Sequence, residues 1–223
     1  MINSSKSVLI IDATGALGLQ CLHHIAQEPS IPEVHVLCRT PSKLSDDPTR
    51  LCHSITIGDA KNTQDIENAL LQSKANNVIL VTGNGANVGK SDTREKTGKG
   101  LAQVLSKPTF AHVKTVLVSS HGAADTKIVV GFGIGMMLSY HLRHVFADHT
   151  RQEMAFASLM DRTLVVRPTA LSNDKGGKTV VERKGNQTLP TMKVDRSDVA
   201  AWITKEISKE MFVARVLSLT NSK

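Results

Sequence analysis

Residues 7–18, Ser-Val-Leu-Ile-Ile-Asp-Ala-Thr-Gly-Ala-Leu-Gly, constrain the fold more than any other stretch of the 223-residue chain. An apolar run, Val8 to Ile11, enters a turn with glycines at 15 and 18; Leu17, Cys21, Leu22, Ile25 and Ala26 follow at helical spacing. Strand, glycine turn and helix, in that order, aim free backbone N–H groups and the positive end of a helix dipole at one point, where a pyrophosphate binds. A second apolar run, Val34 to Cys38, leads to Arg39, about 20 residues beyond the turn. In a dinucleotide fold an acidic residue there suits a ribose 2′-hydroxyl, whereas an arginine suits a 2′-phosphate. Lys43 follows one helical turn later. The pattern predicts NADP(H) rather than NAD(H), with Thr14, Gly15, Ala16, Leu17 and Gly18 around the pyrophosphate.

Asp12 breaks the pattern. It stands where the first glycine of such a turn belongs, a position at which the chain bends sharply and backbone approaches phosphate. Either its side chain turns into a local hydrogen bond or a like charge weakens the cofactor's hold. The expectation is the second: an ionised carboxylate near the pyrophosphate.

Further apolar runs alternate with helical patterns. Strands are expected at 7–12, 33–38, 54–58, 77–82, 113–119 and 162–167, and helices at 15–27, 62–73, 92–106, 140–159 and 196–208. Continuous apolar strands separated by helices imply a parallel sheet covered on both faces. The fold class is therefore α/β, a Rossmann-like doubly wound sheet forming a single domain over 1–223, with a small C-terminal lobe on the substrate side. The polar stretch from about 171 to 194 reads as a substrate-side insertion, with a possible strand at Thr179 to Arg183.

Hydrophobic residues make up 40% of the chain, ample for one core, but one Trp, one Tyr and five Phe leave little for stacking on single-stranded nucleic acid. The net charge of +7 is scattered in ones and twos, so it reads as a basic surface rather than a nucleic-acid patch. Three cysteines without Cys-x-x-Cys spacing give neither a disulfide framework nor a zinc cage, and suit a reducing compartment. The first residues hold no signal-peptide core, and the longest apolar stretch, Ile128 to Tyr140, is too short to span a bilayer. A cytoplasmic protein is expected, a monomer or homodimer with neither nucleic-acid nor membrane partners.

Candidate site residues gather at the expected carboxyl ends of strands. Asp59, followed by Ala60, either accepts from an adenine amino group or caps the next helix. Thr82-Gly83-Asn84 would let backbone pass beneath the cofactor. The overlapping Gly89-Lys90-Ser91 is no P-loop, because that motif needs glycine where Asn84 stands. Ser119 and Ser120 could bond a nicotinamide or a substrate carbonyl, or simply end a strand. Pro168 cuts its strand short and leaves carbonyls free for a carboxamide. Tyr140 has His144, not lysine, four residues on, so the partner that lowers a catalytic tyrosine's pKa is missing. His149 lies on the same expected helix near Glu153, either in the site or as a surface group. No carboxylate pattern supports metal binding by His141, His144 and His149. Gly131-Phe132-Gly133-Ile134-Gly135 reads as a mobile apolar loop.

Asp12-Ala-Thr-Gly-Ala-Leu-Gly18, Val36 to Leu44, Gly58-Asp59, Val116 to Ser120, Asp148-His149 with Glu153, Val165 to Pro168 and Val194 to Ala200, in this order, resemble the atypical short-chain dehydrogenase/reductases. The resemblance is to the NmrA-like and biliverdin reductase B (flavin reductase)-like group. It implies NADP(H) bound at the carboxyl edge of the sheet. Thr14, Gly15, Leu17 and Gly18 match the pyrophosphate turn, Arg39 and Lys43 the 2′-phosphate clamp, and Asp59 and Ala60 the adenine contact. In the biliverdin reductase B branch the residue matching His149 lines the substrate pocket, and the one matching Ser119 or Ser120 lies near the nicotinamide. That branch reduces flavins and open-chain tetrapyrroles without a Tyr/Lys pair. The departures are Asp12, the absent lysine and a longer glycine-rich segment at 122–147. The expected activity is NADPH-dependent reduction of a planar conjugated small molecule: a flavin, quinone or open-chain tetrapyrrole. The alternatives are a non-catalytic NADP(H)-sensing regulator and a carbonyl reductase or epimerase using Tyr140.

Overall fold

The run Val8–Ile11 is apolar throughout because both of its faces are covered. In the computed structural model, which describes residues 6–44, 51–85, 87–131 and 133–223, it forms strand β1, Ser7–Ile11. Val8 and Ile10 point into one core and Leu9 and Ile11 into the other, all with no exposed surface. Residues 1–5, at the start of the stretch without a signal-peptide core, and Phe132 of the glycine-rich segment lie outside the described residues.

Strands β2 (Glu33–Cys38), β3 (Ser54–Ile57), β4 (Asn77–Leu80), β5 (Lys114–Val118) and β6 (Thr163–Pro168) join β1 in parallel register. Two further strands, β8 (Val180–Arg183) and β10 (Arg215–Asn221), complete an eight-stranded sheet of order β3-β2-β1-β4-β5-β6-β10-β8. The order reverses between β1 and β4, the switch point outside whose carboxyl ends ligands bind in such sheets. Helix α1 (Ala16–Ala26) packs with α6 (Arg196–Ser208) on one face, through Leu22, Ile25, Val199 and Ile203. Helices α2 (Thr63–Ser73), α3 (Thr93–Leu105) and α5 (Arg143–Met154) cover the other.

The region from 122 to 194 departs from expectation. The helix expected over 140–159 is three pieces: α4 (Ile134–His141), α5, and a 3₁₀ turn at Ala157–Arg162. The glycine-rich segment expected to be a loop starts α4: Gly133, at φ +79°, turns the chain into the helix. Gly135 lets the helix press on Ile128, whose carbonyl oxygen would lie 2.5 Å from a Cβ at that position. The stretch at 171–194 is only partly an insertion. Strand β8 pairs antiparallel with β10 at the edge of the main sheet, and β7 (Ala170–Ser172) pairs with β9 (Lys193–Asp195) in a small sheet of its own. No helix among the described residues is long and apolar enough to cross a membrane.

Candidate NAD(P)H site

The carboxyl ends of β1, β4, β5 and β6 open on a cleft of about 800 Å³, within the range of cofactor and ligand sites. Its floor begins at the turn after β1. Gly15 is the N-cap of α1, no side chain caps that end, and the first turn holds no acidic residue. The helix's first N–H groups therefore remain available to an anion. Thr14, Gly15, Ala16 and Leu17 line the cleft there. Gly18 does not. A Cβ on Gly18 would lie 2.7 Å from the Asp12 carbonyl oxygen and 2.8 Å from the Ala13 Cα, so this glycine serves close packing of helix on strand.

Asp12 has φ +68°, the left-handed conformation glycine adopts freely and aspartate tolerates better than most residues. Its N–H donates to the Leu37 carbonyl at 3.0 Å, and its carboxylate accepts from the Gly83 N–H at 3.4 Å. The side chain therefore reaches toward the segment after β4 while still lining the cleft. Burial raises its pKa, against the Gly83 hydrogen bond and the nearby Arg39, both of which lower it.

Arg39 and Lys43 are exposed at the rim and line the same cleft. Asp59 and Ala60 line a narrow annex of it with Asp12, Arg39, Thr82 and Gly83. Asp59 closes a turn by accepting from the Lys61 N–H at 2.9 Å, whereas the cap of α2 is Asn62, which accepts from Gln64 at 3.0 Å. Thr82, Gly83 and Asn84 line the cleft beside α1, and a Cβ at Gly83 would meet nothing within 4 Å.

At the opposite end stand Ser119, Ser120, His149 and Pro168. The Ser119 hydroxyl donates to Glu153, whose carboxylate accepts from Arg167 Nε at 3.0 Å and Nη2 at 2.6 Å. Arg167 Nη1 continues to Asp125 at 2.6 Å. The hydroxyl proton is thus committed inward, and Ser119 offers the cleft lone pairs only. The Pro168 carbonyl accepts from the His121 N–H at 2.9 Å. His149 is 7% exposed; burial first, then neighbouring Arg94, push its pKa down to about 3. It is neutral at ordinary pH. Tyr140 must be corrected: it is 70% exposed on α4, its ring faces Arg143 with the guanidinium carbon 4.3 Å from the centroid, and it does not line the cleft. Leu138, Leu142 and Phe146, with Ile128, Val130 and Met192, make that end apolar.

The polar atoms of this wall suit a dinucleotide. Thr82 Oγ1, Asn84 Nδ2, His149 Nδ1 and Thr169 Oγ1 are buried, unpartnered, and belong to cleft-lining residues. Buried polar groups are nearly always hydrogen-bonded, so a run of exceptions along one cleft fits a bound polar molecule.

The model of the NAD(P)H-binding family matches residues 13–210. The chain belongs to the NAD(P)H-binding family. Three similar solved structures share its Rossmann-like fold. A Rossmann-fold NAD(P)-binding family protein from Shigella flexneri is 20% identical, with TM-score 0.66 over 97% of this chain and 94% of that one. A short-chain dehydrogenase/reductase from Veillonella parvula in complex with NADP is 14% identical, with TM-score 0.70 over 97% and 94%. ChuY, an anaerobillin reductase from Escherichia coli O157:H7, is 17% identical, with TM-score 0.73 over 97% of each chain. No curated protein sequence matches. Within this member of the NAD(P)H-binding family, sequence reasoning missed two cleft-lining cations, Arg94 and Arg196. Arg94 is a lone arginine in a chain with 27 scattered basic residues and no local pattern marked it, whereas Arg196 lies in the Val194 to Ala200 stretch that carried the resemblance but was given no role there.

Proposed function

We propose that the chain is an NADPH-dependent reductase of a planar conjugated acceptor: a flavin, a quinone or an open-chain tetrapyrrole. The uncapped start of α1 would hold the pyrophosphate, Arg39 and Lys43 the 2′-phosphate, and Asp59 with Ala60 the adenine. When bound, the reduced nicotinamide supplies a hydride. Ser119 would accept from a carboxamide or ring N–H, since its own proton is tied to Glu153. Pro168 would shape the same end, and the apolar wall from Leu138 to Phe146 would exclude water from one face of the acceptor.

The observation that carries the reading is the lack of a poised proton donor among the described residues of the cleft. His149 is neutral, Ser119 donates inward, Ser120 donates to the His121 carbonyl at 3.2 Å and Tyr140 lies outside. Carbonyl reduction gains roughly 10²–10⁴-fold from a positioned general acid. A conjugated ring spreads the incoming charge and takes its proton from water, so the protein's contribution is orientation. The likeness to ChuY, named as a reductase, agrees with this chemistry. The test mixes the protein with NADPH and, in turn, FMN, a quinone and biliverdin, following nicotinamide absorbance. Protein-dependent oxidation with at least one acceptor is expected. Tight NADPH binding without turnover of any of them would replace this reading with that of a redox-sensing regulator.

A further inference from the structure

Arg94, in the first turn of α3, carries a charge that the protein only partly answers. It is 8% exposed and lines the cleft. Its carboxylate contact is Asp148, which Nη1 meets at 3.4 Å, and its buried Nε has no hydrogen-bond partner. Asp148 is fully buried and already committed to other donors. It accepts from the backbone N–H groups of Arg94 at 3.2 Å and Glu95 at 3.1 Å, with Arg151 Nη2 at 3.9 Å. Arg167 shows the contrast, with three nitrogens meeting two carboxylates at 2.6–3.0 Å. A guanidinium has five N–H donors, and a buried cation left with one long bond is costly unless something else completes its shell. Next to it, His149 is also more than nine-tenths buried, lines the cleft and has an unpartnered Nδ1.

We infer that Arg94 and His149 form an anion-binding site in the cleft wall, taking a carboxylate or phosphate of a bound molecule. The planar fork of arginine suits either group. A neutral imidazole beside it adds a polar contact without repelling the cation. The site is distinct from Arg39 and Lys43, which stand at the rim beyond β2. It lies on the α3–α5 flank, whereas the pyrophosphate turn belongs to α1 on the opposite face of the sheet. That placement favours an acidic group on the acceptor over a cofactor phosphate. The inference needs only the cleft and holds whether or not a hydride is transferred.

The test titrates inorganic phosphate into NADP⁺-saturated protein, following the thermal midpoint. Flavin fluorescence meanwhile compares FMN with riboflavin, which share a ring and differ by one phosphate. In the wild type, phosphate should raise the midpoint and FMN should bind more tightly than riboflavin. Arg94→Gln should weaken phosphate and FMN at least tenfold and leave riboflavin unchanged. A tenfold loss of NADP⁺ affinity instead supports the site with the cofactor as source. A phosphate response that depends on Arg94, without flavin binding, keeps the site and removes flavin as acceptor. Arg94→Lys covers the case in which the glutamine variant does not fold. Lysine keeps the charge beside Asp148 but loses the fork, so phosphate should weaken several-fold at unchanged stability. Wild-type affinities for phosphate, FMN and NADP⁺ in the lysine variant, or in a folded glutamine variant, overturn the inference.

Discussion

At the α1 end of the cleft the ligand-facing groups are mostly backbone: the open N–H groups after Gly15 and the chain at Gly83. At the α5 end they are side chains, Ser119, His149 and Arg94, set by partners far away in sequence. Asp148 stands 54 residues from Arg94, and Glu153 stands 34 from Ser119. A site made of backbone is fixed by the fold and tolerates changes of side chain wherever no Cβ is forbidden. A site made of side chains can be retuned one residue at a time. Binding at the α1 end should therefore tolerate most side-chain changes outside Arg39 and Lys43, whereas ligand choice at the α5 end should be easily changed, and the following measurements break or sharpen that contrast.

The largest effect is expected at Gly18. Gly18→Val forces a side chain into backbone atoms that cannot yield, and should lower stability in urea unfolding by about 3 kcal/mol, the upper end of overpacking costs. A loss below about 1 kcal/mol would mean that α1 can move away from β1. Next comes Arg39→Ala. Calorimetry should show NADPH weakened by about 1.5–3 kcal/mol, the range for bonds to charged groups, and NADH almost unaffected. Equal losses for both would remove the 2′-phosphate assignment.

His149 gives the third. Its folded pKa, about 3, lies below the ordinary 6.5, so the unfolded chain binds the extra proton between those values. Stability should then fall as pH drops below 6.5, by about 1.4 kcal/mol per pH unit for this one group. His149→Gln should remove that slope. His24, His35 and His121 are also lowered by burial and act in the same direction, so the difference between variant and wild type isolates His149. Parallel pH–stability curves would show that the imidazole is solvated.

Asp12→Gly should change stability by no more than about 1 kcal/mol, and upward. It relieves a left-handed residue while giving up one long hydrogen bond to Gly83. It should also tighten NADP⁺, because a carboxylate leaves the cleft. Weaker binding in a titration of the variant would make Asp12 a ligand rather than an obstacle. The smallest effect belongs to Tyr140→Phe, which should leave flavin or quinone reduction within a few-fold of wild type. A fall of about 10²-fold would put a general acid on α4 after all.

What could be read from the sequence follows the same division. Residues 7–39 declared strand, turn, helix and strand because local chemistry alone dictates them. Strand β10 gave no such signal. Leu217 and Leu219 fill the core, but Ser218 and Thr220 are equally buried because they hydrogen-bond His121 and Thr191. The apolar pattern is halved, and the strand disappears from view. The break between α4 and α5 falls at Leu142, with neither glycine nor proline to mark it. Arg94 was invisible for another reason: only the packing of α3 on α5 separates it from the solvated arginines.

The placement of β10 between β6 and β8 also sets an order in time. Until residues 215–221 insert, β8 has no strand to pair with and His121 lacks Ser218. Asp195, the cap of α6, likewise lacks its bond from the backbone to Asn221. Strands β1 to β4 and helices α2 and α3 make none of these contacts, whereas α1 needs α6 to cover Leu22 and Ile25. Domains are built from the N-terminal end during synthesis. The strands and turns of the α1 end are thus synthesised before the residues that cover α1 and pair β8, so the two ends of the cleft are finished together when the last strand goes in.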